Sequence, residues 1–479
     1  MKDLEQINTE HVEADGSLDE IVSPELSVSI RVSPQNYFTA LLLGTFFSAF
    51  LFYLEMDLAG VILFGVSWIL IPFFALADHI KFDGKRLVRT GLVPRVWSWI
   101  NTSRRSLKIN DIEQVETQAI RTMKRGGHLY YRYRTVVRGK GLNVVFASGA
   151  SGTSEDYRRI IKSMLPKLSD NVLDNRSIEL RDHLEDPKET LMRAEFSQIP
   201  AADVLESSFK RIGKRVKPSQ QKFESLELFE DEKAEDLTSL ANELRLSGYL
   251  VQALEAFRRA LVLKPRDARL IFDFARCLHS FAGMTRDQKL ERRALAALRL
   301  SERRAADDGE LLVRLGEWYF QIGEWRRAGN VFQNALESIG ENFRTARGLA
   351  EIALRDGKIA HVIHHFSTAN RIAETPSLRR WSKAETEYFS NLNSDDEYME
   401  MEVGRVNLLE TVERSKKTAL KIAFFGFPLI IAGITLEDDL VANIGWAVST
   451  VSLLIWTGLI MSGHLLAQRI PYQMLETDD

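Results

Sequence analysis

The sequence predicts a multidomain membrane protein: transmembrane α-helices at both ends flank a small β-rich domain and an α-helical repeat solenoid. Three observations carry that expectation. Two pairs of uncharged stretches lie near the ends of the 479-residue chain. Residues 79–147 alternate apolar and polar positions in short runs broken by glycine, and from Ala234 apolar residues recur at helical spacing under a longer period.

Tyr37 to Leu54, Leu58 to Ala77, Ile422 to Leu436 and Leu440 to Gln468 contain no Asp, Glu, Lys or Arg. Crossing a bilayer as a helix takes roughly 17–25 apolar residues. Tight acidic turns, Glu55-Met56-Asp57 and Glu437-Asp438-Asp439, join the members of each pair, so two hairpins are expected over 37–77 and 422–468. Ile422 to Leu436 is short; Thr418 to Leu420 extend it if Lys421 snorkels, and a re-entrant helix is the alternative. Lys81, Lys85, Arg86, Arg89 and Arg95 follow the first hairpin, and Arg405, Arg414, Lys416, Lys417 and Lys421 precede the second. Positive charge stays inside, so both termini and the whole middle are expected in the cytoplasm. Ala75-Leu76-Ala77 imitates a signal-peptidase site but follows a second apolar span, which argues against a cleaved signal. The single cysteine, Cys277, excludes an internal disulfide framework and suits a reducing compartment.

Residues 1–36 carry eight acids against Lys2 and Arg31 and read as an acidic flexible tail. Residues 79–168 carry 19 Lys and Arg against 6 Asp and Glu. Beside a membrane such charge points to anionic lipid headgroups, each nearby cation contributing about 1 kcal/mol. No nucleic-acid-binding motif accompanies it, and no nucleic-acid partner is expected. Within this domain Ile80-Lys81-Phe82 leads to Asp83-Gly84, a hairpin signal, and Arg86 to Thr90 alternates up to Gly91. Ser106 to Ile109 and Ile112 to Ile120 are strand candidates, and Leu129 to Arg138 turns at Gly139-Lys140-Gly141 into Leu142 to Ala147. Tyr157, Ile160, Ile161, Met164 and Leu165 then follow at helical spacing, so a strand meander is closed by one helix.

The "DGKRLVRTGL" opening, "LKINDIEQVE", the strands around "RGKGLNVVF" and the closing helix resemble the bacterial pleckstrin-homology-like (PH-like) domains that follow a pair of membrane helices. The resemblance covers residues 79–168. It implies a PH-like fold, an assembly or membrane-associated role without general enzymatic activity, and a bacterial inner membrane. Lys81, Lys85, Arg86, Arg132, Arg134 and Arg138 are candidates to face anionic lipid, a solvated positive face being the simpler account.

Residues 169–232, with Pro187, Pro200 and Pro218 as breaks, are expected to form a charged linker with some helix; its basic run from Phe209 to Lys222 could rest on the membrane surface. At Ala234 a 34-residue pattern begins. Leu237, Leu240, Ala241, Leu244, Gly248, Ala253, Phe257, Ala260 and Pro265 form one copy, and Leu312, Leu315, Gly316, Tyr319, Gly323, Trp325, Ala328, Phe332 and Ala335 another. Ala346, Leu349, Ala350, Ala353, Gly357, Val362, Phe366 and Ala369 form a third, with Ile271, Phe274, Ala275, Leu278, Ala294, Leu298 and Ser301 between the first two. These places resemble tetratricopeptide repeats (TPR): small residues let two helices approach, and a large one fills the gap to the next repeat. The copy from Ile271 carries about seven extra residues around Gly283 to Gln288, expected to lengthen its inter-helix turn. Trp381, Ala384 and Tyr388 suggest a cap, so the array is expected over 234–390, with a connecting helix over 395–421 and a tail over 469–479.

The resemblance implies a protein or peptide ligand in a concave groove lined by the first helix of each repeat. By register the groove candidates are Thr238, Asn242 and Arg245; Phe272, Arg276 and His279; Val313, Glu317 and Phe320; Arg347, Glu351 and Leu354. The places that grip a C-terminal carboxylate in chaperone-binding members hold Thr238, Asn242, Asp273, Glu310 and Arg314, of which only Asn242 and Arg314 agree; that ligand is not expected. His361 and His365 are four apart but lack the Glu-bearing metalloprotease pattern, and no glycine-rich loop ends in Gly-Lys-Ser/Thr. His464 is the sole ionisable residue inside an uncharged stretch, which argues against a pump or channel. The expectation is a membrane-anchored adaptor or scaffold with no catalysis, cofactor or metal. The alternative is an accessory or regulatory subunit of a transporter or membrane enzyme complex.

Overall fold

A computed structural model describes residues 27–32, 35–92, 95, 106–123, 129–149, 155–202, 204–205 and 227–472. It is mostly helical, with a small antiparallel sheet region and a helical-repeat region. β1 (Val28–Arg31) leads into α1 (Gln35–Tyr53), which turns through Glu55, φ 59°, into α2 (Asp57–Ala77). The expectation of a flexible tail over 1–36 is thereby corrected at its end. Ile30 is buried opposite Ile80, a partner fifty residues away that a four-residue alternation does not reveal. Residues 1–26 lie outside the described residues. The two helices close where the Ser48 hydroxyl donates to the Gly60 carbonyl at 2.7 Å. Beyond α2 the buried Asp78 carboxylate accepts from the Tyr37 hydroxyl at 2.7 Å and from Arg89 at 2.6 and 3.1 Å, tying the hairpin to the sheet with no linker.

β2 (His79–Phe82), β3 (Arg86–Thr90) and β4 (Ser106–Lys108) join β1 in a four-stranded antiparallel sheet, and β5 (Gln114–Met123), β6 (Leu129–Gly139) and β7 (Leu142–Ala147) form a three-stranded one. Turn chemistry sets the tight hairpins. The Asp83 carboxylate accepts from the Lys85 and Arg86 amides, while Lys140 and Gly141 take φ 44° and 75°, the positive pair that matches strand twist. Both sheets and the closing helix α3 (Glu155–Met164) bury Phe82, Leu87, Val115, Val137, Phe146 and Tyr157 in one core.

The linker expected over 169–232 is corrected in its first half. After a 3-10 turn at Asp170–Val172 come α4 (Asn175–His183) and α5 (Pro187–Phe196), capped by the carboxylates of Asp174 and Asp186. Pro187 starts a helix instead of breaking one. Ile178, Leu180, Leu184, Ala194 and Ile199 are buried. Helices of 9 and 10 residues hold too few turns for an apolar stripe to stand out of a charged stretch. Phe209 to Lys222 lies outside the described residues.

Helix pairs follow: α6 (Glu227–Ser247) with α7 (Leu250–Leu263), α8 (Ala268–Thr285) with α9 (Gln288–Arg304), α10 (Gly309–Gln321) with α11 (Trp325–Ile339), and α12 (Phe343–Arg355) with α13 (Ile359–Ile372), capped by α14 (Pro376–Ser394). Gly248, Gly323 and Gly357 turn three of them at φ 92°, 87° and 72°. Ala241, Ala253, Phe257, Ala260, Ala328, Phe332 and Ala335 are buried where their register puts them. The expected longer turn in the second pair is corrected: the extra residues lengthen α8 to 18 residues, against 13 in α10 and in α12. Ala282, Gly283 and Met284 simply continue the helix, Arg286 stops it at φ 54°, and Asp287 caps α9 at once. The added turn meets the sheet domain, the Arg121 guanidinium of β5 lying over Gly283.

α15 (Asp396–Leu436) is a single 41-residue helix, so the connecting helix and the short third stretch are continuous; α16 (Asp439–Leu466) returns beside it. Gly426, Gly433 and Gly445 bring these two backbones together. Trp446 packs on Phe46, Phe50 and Tyr53, joining the two hairpins. By length and composition α2, α15 and α16 are long and apolar enough to cross a membrane, while the apolar helix Tyr37–Tyr53 is shorter.

Candidate protein-binding site

Polar groups on the first helix of each pair meet the short helix α4. Arg245 of α6 donates to Glu179 at 2.7 Å, and the Arg276 guanidinium of α8 contacts the other oxygen of the same carboxylate. These three side chains are at most 6 % exposed. Asn242 accepts from Arg245 at 3.1 and 3.4 Å and donates to Asp273, which accepts from Arg276 at 3.2 Å. One turn before Glu179, Asn175 donates to the Arg314 carbonyl of α10 at 3.3 Å and accepts from Arg344 of α12 at 2.8 Å. Arg344 also donates to Glu317 at 2.7 Å. The short helix α4 thus touches the first helix of each of the four pairs through polar groups.

Burial, with Arg314 and Arg176 nearby, pushes the Arg276 guanidinium well below its usual range. The Glu179 carboxylate stands in direct contact with that guanidinium. Burial also pushes the Asp174 carboxyl up to about 6, against the hydrogen bonds from Ser177 and Thr117.

Several of the expected groove positions are therefore covered, not open. Asn242, Arg245, Phe272, Arg276 and Val313 are buried. Thr238 bonds back to the Ala234 carbonyl at 2.7 Å, and His279 stands edge-on to Trp318. Phe320, Arg347 and Glu351 line a cleft of about 110 Å³ left beside α4; Arg347 donates to Glu351 at 3.0 Å, and Leu354 is exposed. Glu179 and Asn175 escaped the sequence reading because their partners lie on other elements, Arg245 standing 66 positions from Glu179.

The basic candidates form two sets. Lys81, Lys85 and Arg86 sit on the first sheet, with Lys85 and Arg86 at the end of β2 and β3 away from α2; Arg132, Arg134 and Arg138 share the outward face of β6, where Arg138 approaches Glu116 at 3.6 Å. His361 and His364 are exposed on α13 and His365 is half-buried. The sheet domain also meets the solenoid directly, the Tyr133 hydroxyl donating to the Leu246 carbonyl at 2.6 Å and Arg380 approaching Asp111 at 3.3 Å.

No protein-family model matches the chain, and no curated protein matches it. Among solved structures it is similar to a chain in the crystal structure of the APC/C hetero-tetramer Cut9-Hcn1, at 13 % identity and a TM-score of 0.27. That match covers 66 % of this chain and 52 % of the other, so the chain spans about half the length of that neighbour. The TPR-like helical-repeat character rests on the helix pairs of the chain itself.

Proposed function

We propose that the chain is a membrane-anchored scaffold. In this reading the two hairpins cross a bacterial inner membrane, the sheet and repeat regions and both termini are cytoplasmic, and the solenoid holds protein partners. Attachment of the solenoid to both apolar hairpins carries the proposal. Asp78 joins α2 to a PH-like sheet domain, which meets the first helix of the solenoid through Tyr133 and its cap α14 through Asp111. Toward the second hairpin the buried Glu402 accepts from Arg405, Tyr388 and the Ile470 amide, and Arg469 donates to Glu385. Repeat arrays offer extended surfaces for proteins, and one held at two points keeps its ligand at a set distance from the bilayer. The exposed Lys81, Lys85, Arg86, Arg134 and Arg138 add attraction to anionic headgroups and perform no chemistry.

The test is cross-linking and affinity purification of the tagged full-length chain in mild detergent. A partner set that is kept when the hairpins are replaced by unrelated spans, and lost when Phe332→Ala breaks the repeat core, is the expected result. The accessory-subunit reading draws on α2, where Phe64, Trp68 and Phe73 remain uncovered. Loss of partners on hairpin replacement alone would establish it instead.

A further inference from the structure

Resting on the scaffold reading, we propose that the first-helix face of the solenoid is a binding site for a short helix bearing a glutamate, that α4 occupies it in cis, and that a partner engages by presenting such a helix in its place. The site is built, not incidental. Two guanidinium groups from successive repeats converge on one carboxylate, Asn242 orients one of them and Asp273 the other, and an amide one turn earlier engages two further repeats. What the face reads is therefore a glutamate with an asparagine four residues before it on a helix.

The contact has the character of an exchangeable one. A helix of 9 residues is not stable alone and forms here because it is docked. A buried ion pair contributes register more than net stability, since desolvation offsets much of the attraction. Toward the solenoid the polar pairs, Glu179 with Arg245 and Arg276, Asn175 with Arg344, and Tyr133 with Leu246, stand beside an apolar core that Ile178 and Leu180 share with Leu246, Phe343 and Ala346, so release of α4 also exposes apolar surface. The clefts flanking α4 measure about 110 and 440 Å³. A nine-residue helix fills roughly 1,000 Å³ at the usual helix diameter, so a second helix enters by replacing α4 and not by lying beside it. The cis helix competes at the high effective concentration of a tethered ligand, which keeps the face shut until the tether contact is weakened.

The probe is a fluorescent peptide of the sequence Ser169 to Asp186, added to the full-length chain in detergent. Glu179→Arg sets three cations together and should release α4, so this variant should bind the peptide, and a peptide carrying Glu179→Gln should bind at least about tenfold more weakly. Adding Arg276→Glu should restore the cis pair and abolish binding. Uptake of neither peptide by a variant whose circular dichroism is native, or equal uptake of both, overturns the proposal; dimerisation of the variant in light scattering would assign the face to a second copy instead. If Glu179→Arg does not fold, deuterium exchange on the wild-type chain decides: saturating peptide should speed exchange at the α4 amides, and no change there overturns the proposal. The probe is the chain's own sequence, so its failure leaves the co-purification result, and the scaffold reading with it, untouched.

Discussion

Phe332 of α11 lies between two glycines of neighbouring first helices, and that packing makes a sharp test of the repeat core. A Cβ at Gly348 would stand 2.4 Å from Phe332 Cζ and 2.6 Å from Cε2, and one at Gly316 would stand 2.7 Å from the opposite side of the ring. Ordinary carbon contacts are about 3.5–4.0 Å, so the ring cannot retreat from either neighbour. Gly348→Ala should gain about 1 kcal/mol of helix propensity but lose about 1–3 kcal/mol to overpacking, a net destabilisation of up to about 2 kcal/mol. Phe332→Leu removes the very ring atoms that the new methyl would meet. In that background the same Gly348→Ala should turn stabilising by up to about 1 kcal/mol, an interaction energy within the 0.5–3 kcal/mol found between touching residues. Phe332→Ala, which leaves a cavity, should cost about 3–5 kcal/mol. Thermal melts of the four chains by circular dichroism read the cycle, at about 2–4 °C per kcal/mol for a region of this size. Equal effects of Gly348→Ala in both backgrounds would refute the packing argument.

Three further outcomes follow from buried charge and topology. Because Asp174 titrates at about 6 in the folded chain against an ordinary 3.8, the folded state keeps a proton between those values that the unfolded state loses. Stability from this group therefore falls as pH rises through that window, by about 3 kcal/mol for roughly two units. Asp174→Asn keeps a capping acceptor, so it should melt above wild type at pH 7 and match it near pH 4; a gap that persists at low pH would exclude the titration. Arg276→Ala should destabilise by about 3–5 kcal/mol, because it strips a buried carboxylate of one partner, whereas an exposed groove residue would change stability by less than about 0.5 kcal/mol. Cysteines placed at Asp57 or Asp438 should react with an impermeant thiol reagent only from the side opposite a reporter at either terminus, and labelling from the same side would overturn the topology.

Features that depend on neighbours in the chain were legible from residues alone. The repeat register fell out of Ala241, Phe257, Phe332 and the turn glycines, because each serves the helix it sits on or the next one along. The Asp83-Gly84 and Lys140-Gly141 turns were equally local. The length of α8 is not legible locally, because Gly283 suggests a turn whereas the helix runs on to Thr285. The burial of Asn242, Arg245 and Arg276 is not legible in the sequence, since a list of first-helix positions does not say what lies against them.

Periodicity and charge spacing suffice for the apolar hairpins, the strand meander and the repeats, since helix and strand periods are properties of consecutive residues. Three-dimensional packing settled the rest: β1 as an edge strand, α15 as one helix of 41 residues, and α4 set against the first helices of the four pairs. Glu179 has no meaning in its own stretch of polar residues. It acquires one when folding brings Arg245 and Arg276 to it, and a buried carboxylate is tolerated only where such partners converge.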